Sequence, residues 1–280
     1  MTSLDMDLYY TWKIINGEDV PINYGKIYMS TNDSMNLIDR FVDVYDKDVL
    51  TVLGSGDQAF HFMNGGARSV DLFDINKLSI YYYYLRVWQI LYLDSFHPRN
   101  GQNLVSPQYI DKILSSVTEL SSSLERDAYN YWKTILSKYN NPDYLNSKLF
   151  YCDYSLLGNK ITSLSILKSK LKSGVNNFYN VDMTKTVDIN KQYDIIFVSN
   201  ILEWIKSKRW DVNTFNDNLY NLLNDNGMVI CTKFNLSEAS DYEKRIFSSN
   251  FDYSILNRYG DDYVTSWTPG YIYTKKPVKT

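Results

Sequence analysis

Apolar and polar positions along the chain switch between a strand-like and a helix-like period, and the switches mark its elements. Residues 49–53, Val-Leu-Thr-Val-Leu, form an unbroken β-rich run closed by Gly54-Ser55-Gly56-Asp57. Such a run fits a strand buried on both faces of a parallel sheet. Residues 57–65 read as a helix, with Phe60, Phe62 and Met63 apolar and Asn64-Gly65-Gly66 as its stop. A second strand, 69–73, ends at Asp74, which completes a strand–loop–helix–strand unit. Leu78 to Leu93 is a long, aromatic-rich helix whose tyrosines 81–84 cover more than one face.

The region 107–171 offers no clear strand except near 149–152. Helices are expected near 108–120, 124–139 and 160–172, as a helical insertion. The strand-and-helix rhythm resumes at 177–182. Its clearest strand is 193–199, Tyr-Asp-Ile-Ile-Phe-Val-Ser, with a helix through Ile201, Leu202, Trp204 and Ile205. A helix over about 211–223, a turn at 224–227 and a strand at 228–233 follow. A helix near 237–248 and strands at 252–258 and 270–275 close the chain. Residues 1–46 are weakly patterned, with one short helix expected after Asn32-Asp33-Ser34. The reading is one α/β unit over 47–98 and 172–280, preceded by an N-terminal segment, 1–46, and interrupted by an insertion, 99–171.

Composition narrows the functional classes. The chain has 280 residues, 44% hydrophobic and 22% charged, with a net charge of −3. That excludes neither one large domain nor two small ones, makes disorder unexpected, and offers no global basic field for nucleic acid. No apolar run is long enough for a spanning helix, and the acidic N-terminus is the reverse of a signal peptide. A cytoplasmic location is expected. Two cysteines, Cys152 and Cys231, and two histidines, His61 and His97, make neither a disulfide framework nor a metal centre.

The chemistry-bearing feature is Gly54-Ser55-Gly56-Asp57-Gln58-Ala59, between a strand and a helix. Glycines there let a ligand approach the backbone, and the helix start offers unpaired N–H groups to an anion. Asp74, twenty residues after Gly54 at the end of the next strand, is placed to accept hydrogen bonds from a ribose diol. The blander readings are a tight turn for the glycines and helix caps for Asp57 and Asp74. A nicotinamide dinucleotide and S-adenosylmethionine both suit this layout.

Three later stretches bear on that choice. Residues 193–204 resemble the fourth-strand motif of class I S-adenosylmethionine-dependent transferases. Asn226-Gly227-Met228-Val229-Ile230 resembles their fifth strand, and Asn180-Val181-Asp182-Met183 their adenine-side segment. The resemblance implies a Rossmann-like, doubly wound, mostly parallel seven-stranded sheet with an antiparallel C-terminal hairpin. It also implies S-adenosylmethionine as cofactor. Within that superfamily, residues 52–59 and Phe73-Asp74-Ile75-Asn76 resemble the 3-amino-3-carboxypropyl transferases of betaine-lipid synthesis, which also carry a helical segment between their second and third strands. The implied cofactor residues are Gly54, Ser55, Gly56, Asp57, Asp74, Ile75, Asn76, Asp182, Met183 and Ser199. Asn200 and Glu203 would face a small-molecule or lipid-like acceptor. A nicotinamide-dependent oxidoreductase explains the glycines and Asp74 but not 193–204. A non-catalytic binding module stays open, because no general base marks the chain.

Overall fold

Successive side chains of the central strands are buried on opposite faces of one sheet, and this builds two cores. Val49, Ile195, Phe197 and Ile230 pack into the first core; Leu50, Ile196, Val198, Val229 and Cys231 pack into the second. Both sets are apolar because both faces of the sheet are covered. The computed structural model describes residues 2–29, 33, 35–39, 41–93, 106–139, 148–151, 163–173, 177–232, 251–256 and 270–276.

The strands of the main sheet are β2 (Asp48–Val52), β3 (Ser69–Phe73), β5 (Phe178–Tyr179), β6 (Tyr193–Ser199), β7 (Leu223–Thr232), β8 (Phe251–Leu256) and β9 (Gly270–Lys275). They lie in the order β5-β3-β2-β6-β7-β9-β8. The first five are parallel; β9 runs antiparallel to β7 and pairs antiparallel with β8. This is the Rossmann-like, doubly wound sheet with a C-terminal hairpin that the sequence implied. Its strand order reverses between β2 and β6, which places a topological switch point at their carboxyl ends.

Helices α3 (Asp57–Asn64) and α4 (Leu78–Leu93) cover the first face, and α8 (Ile201–Lys208) and α9 (Val212–Leu222) cover the second. The turn foreseen at 224–227 is an excursion within β7. Tyr193 pairs with Leu223, but Ile195 already pairs with Met228, and Asn226 takes a left-handed φ of 62°. Gly227 is required there, because an added Cβ would lie 2.9 Å from the Asn224 carbonyl oxygen.

Between α4 and β5 lie α5 (Pro107–Ser116), α6 (Ser123–Lys138), strand β4 (Phe150–Tyr151) and α7 (Leu164–Lys172). Ile110, Ile113, Tyr131, Trp132 and Leu167 join the first core. The tyrosine run is divided among neighbours. The Tyr81 hydroxyl donates to Asp7, the Tyr82 hydroxyl donates to the Met29 carbonyl, and Tyr83 stacks on Phe60. Trp132 donates to the Tyr81 carbonyl at 2.7 Å.

The N-terminal segment is more ordered than its pattern suggested. It forms α1 (Ser3–Asn16), β1 (Ile27–Tyr28), which pairs with β4, and α2 (Met35–Ile38). A capping box between Thr2 and Asp5 starts α1, and left-handed Gly17 ends it. The apolar stripe of α1 is thin because its anchor is polar. Asp7, fully buried, accepts from Tyr24 and Tyr81 at 2.5 Å each and from Lys77 Nζ at 2.9 Å. The expected helix at 237–248, His97 and Cys152 lie outside the described residues. Among the described residues no helix is long and apolar enough to cross a membrane.

Candidate functional site

The carboxyl ends of β2, β3, β6 and β7 converge on one crevice edge. The loop after β2 owes its shape to two left-handed glycines, Gly54 at φ 49° and Gly56 at φ 87°. Gly56 also faces the Tyr83 ring so closely that an added Cβ would lie 3.0 Å from it. Across the switch point, Ser199 ends β6 at φ 50°, beside a register shift in the pairing with β7. A left-handed non-glycine residue at a strand end is a strained feature of the kind that collects at ligand sites.

Asp74 ties this loop to the next one. Its carboxylate accepts the Gly54 N–H at 3.0 Å and the Asn76 N–H at 2.7 Å. Burial pushes its pKa up to about 6, against the hydrogen bonds from Asn76 and Gly54, which pull it down. Ile75 and Asn76 are half-buried on the same loop. Asn180, following β5, donates to the carbonyls of Asp74 and Ile75 at 2.9 and 3.1 Å. The N-terminal segment closes the other side: Asn76 donates to the carbonyls of Gly25 and Lys26, and the Lys77 N–H to that of Asn23.

Asp57 is placed differently from Asp74. Its Oδ1 accepts Arg86 at 2.9 Å and its Oδ2 accepts the Ser55 hydroxyl at 3.0 Å, and all three residues are buried. The guanidinium lies over the Phe60 ring. Asp57 therefore joins the glycine loop to α4, and its charge meets a cation of the fold. The adenine-side pair divides as well. Asp182 accepts the N–H and hydroxyl of Thr184 within its own turn, whereas Met183 is buried in the second core. Asn200 and Glu203 are half-buried beside β6, and the Glu203 N–H donates to the Asn200 carbonyl at 3.0 Å. His61 is buried and hydrogen-bonds Asp39 at 2.7 Å, away from these loops.

Sequence reasoning missed a residue that meets three of these elements. Asp33 is 1% exposed and accepts Gln58 Nε2 at 2.9 Å, the Ser199 hydroxyl at 2.8 Å and the Thr232 hydroxyl. Asn32-Asp33-Ser34 carries a helix-start signal only; nothing local announces contacts 166 and 199 residues away. Arg86, within an apolar helix pattern, was the one signal for the Asp57 pair. Among the described residues, no group of three or more His, Cys, Asp or Glu side chains is placed to hold a metal ion.

No family model matches the chain, and no curated protein does. Solved structures of similar outline exist. A TehB-like SAM-dependent methyltransferase from Corynebacterium glutamicum is similar at 10% identity and a TM-score of 0.44, over 97% of both chains. The N-methyltransferase NodS from Bradyrhizobium japonicum, solved with S-adenosyl-L-homocysteine, is similar at 7% identity and a TM-score of 0.43, over 97% of this chain and 99% of its own. The magnesium protoporphyrin IX methyltransferase ChlM from Synechocystis is similar at 8% identity and a TM-score of 0.42, over 96% of this chain and 91% of its own. At such identities and scores, the functional reading stands on the geometry of this chain itself.

Proposed function

We propose that the chain is an S-adenosylmethionine-dependent transferase. The observation that carries the reading is the Asp74–Gly54 bond at 3.0 Å, at the head of this sheet. It brings a carboxylate suited to a ribose diol against a left-handed glycine loop and a helix start suited to a carboxylate. The donor set fits the amino-acid and nucleoside halves of that cofactor. Dinucleotide-binding sheets run 3-2-1-4-5-6; here antiparallel β9 lies between β7 and β8. That difference favours S-adenosylmethionine over a nicotinamide dinucleotide.

When bound, the cofactor supplies a carbon already activated by sulfonium sulfur, so the protein's work is holding and orienting. Gly54, Ser55 and Gly56 take the amino-acid end, and Asp57, through Arg86, keeps that loop in shape. Asp74 holds the ribose; Ile75, Asn76 and Asp182 border the adenine side, with Met183 packed beneath it. Ser199 marks the boundary between donor and acceptor. Asn200 and Glu203, the latter in the first turn of α8, form the face toward the acceptor.

The transferred group is methyl or 3-amino-3-carboxypropyl. The helical stretch between β3 and β5, the second and third strands of the fold, favours the second, as does the 52–59 and 73–76 resemblance. The experiment is incubation with S-adenosylmethionine and fractionated cell extract, followed by chromatography of the nucleoside product. Methylthioadenosine supports aminocarboxypropyl transfer, and S-adenosylhomocysteine supports methylation. Neither product above a control lacking active protein, across varied extracts, overturns the transferase reading in favour of a binding module.

A further inference from the structure

The outward face of the small sheet formed by β1 and β4 is aromatic. Ile27 and Phe150 bury its inner face in the first core, while Tyr28 and Tyr151, paired in register, are 38% and 47% exposed. Their ring centres lie 5.1 Å apart with the planes 31° from parallel, and Lys26 Nζ stands 5.7 Å over the Tyr151 ring. Hydrogen bonds set this face beside Asp74. Asn76, whose N–H is bonded to the Asp74 carboxylate, donates its side-chain amide to the carbonyls of Gly25 and Lys26 at 3.2 Å each. Lys77 donates its N–H to the Asn23 carbonyl and its Nζ to Asp7 in α1. Tyr28 follows Lys26 by two residues, about 7 Å along an extended chain. Burial, Tyr151 and the Asp74 charge, in that order, push the Tyr28 hydroxyl up to about 12.

We infer that Tyr28, backed by Tyr151, is the aromatic wall of the nucleoside subsite and stacks on the cofactor's adenine. The inference rests on the S-adenosylmethionine reading. Adenine is bonded directly to the ribose, so a diol fixed at Asp74 brings a flat π surface into this neighbourhood. A tyrosine ring meets such a surface at low conformational-entropy cost, and base–aromatic stacking needs no matched set of hydrogen bonds. Ile75, Asn76 and Asp182 border the base with aliphatic and polar groups, and the ring supplies the stacking that they do not. The wall is built by two separate parts of the chain, the segment before β2 and the stretch between α4 and β5, so the nucleoside half of the site is complete only when both are docked.

The test is calorimetric titration of the whole chain with S-adenosylhomocysteine and with methylthioadenosine, which keeps the nucleoside and lacks the amino-acid end. Tyr28→Ala is expected to lose affinity for both compounds by the same factor, at least about fivefold, the lower bound for stacking on a base. Tyr28→Phe keeps the ring and stays within about twofold of wild type. Tyr28→Leu keeps bulk on the strand without a π face and loses affinity as Tyr28→Ala does; it is the variant to read where Tyr28→Ala does not fold. Unchanged affinity for both compounds in Tyr28→Ala or Tyr28→Leu overturns the inference and leaves the cofactor reading intact; a fall in turnover alone would then move the ring to the acceptor side. Loss for S-adenosylhomocysteine with methylthioadenosine unchanged, or a loss in Tyr28→Phe equal to that in Tyr28→Ala, overturns it as well. Where methylthioadenosine binds too weakly to titrate, the comparison of the three variants with S-adenosylhomocysteine decides. Wild type that takes up neither compound removes both readings.

Discussion

Replacing Asp74 separates its two roles, tying two loops and receiving the ribose. Its carboxylate accepts backbone N–H groups from Gly54 and Asn76 at 3.0 and 2.7 Å in a buried position. Asp74→Ala leaves both donors without that partner, at about 1–3 kcal/mol each. A loss of roughly 2–6 kcal/mol is expected, or a melting temperature lower by about 4–24 °C. Asp74→Asn is not neutral, because its amide turns one NH₂ donor toward an N–H donor. Ligand contact adds a separate loss: hydrogen bonds to a charged group are worth about 1.5–3 kcal/mol, or roughly 10–150-fold in affinity for S-adenosylhomocysteine.

Protonation offers a finer test than deletion. Burial raises Asp74 to about 6 in the folded protein, above the ordinary carboxylate value it regains on unfolding. The folded state holds this proton over about pH 4–6 where the unfolded state has lost it, so Asp74's contribution to stability worsens as pH rises through that window and levels off above it. Ribose binding needs the ionised form, so affinity has the opposite slope, weakening by up to about tenfold per unit below pH 6. Calorimetry from pH 5 to 8 on wild type and Asp74→Asn reads both effects. A variant with unchanged affinity and the wild-type pH profile would refute the ribose assignment and leave Asp74 a loop tie only.

Arg86→Met strands the buried Asp57 charge, at about 3–5 kcal/mol. The melting temperature should fall accordingly, and Asp57→Asn combined with Arg86→Met should recover much of the loss; equal melting of single and double variants would contradict the pair. Gly56→Ala forces a side chain into φ 87° and a Cβ to within 3.0 Å of Tyr83. It is expected to cost about 1–2 kcal/mol from the left-handed backbone alone and to weaken cofactor binding, read by thermal melts with and without S-adenosylhomocysteine. Asn200→Ala and Glu203→Ala should lower turnover while cofactor affinity stays intact; loss of affinity with turnover per bound cofactor unchanged would move both residues to the donor side.

The strands around the switch point were legible in the sequence because both their faces are buried, and β2 and β3 are also closed by Gly54 and Asp74. Residues 69–73, 193–199 and 270–275 were read at the bounds they adopt. The Gly54 loop and Asp74 were legible for the same reason: backbone conformation and strand ends leave local marks. The N-terminal segment was not, because Asp7, Tyr24, Lys77 and Tyr81 hold α1 through hydrogen bonds that carry no periodic signal. The Thr2–Asp5 capping box at its start is a local signal that the sequence reading passed over. The inward turn of Met183 followed from helix α9, whose Asn218 donates to the Met183 carbonyl at 2.8 Å. Asp33 depended on strand ends that only the folded sheet brings together.

The central claim is that this crevice binds an S-adenosyl amino acid rather than a nicotinamide dinucleotide. Parallel thermal melts of the whole chain with S-adenosylhomocysteine and with NAD, each titrated to high excess, test it directly. A ligand at a hundredfold its dissociation constant stabilises by about 2.7 kcal/mol, expected here as a rise of about 5–10 °C with S-adenosylhomocysteine and none with NAD. A clear rise with NAD and none with S-adenosylhomocysteine would contradict it.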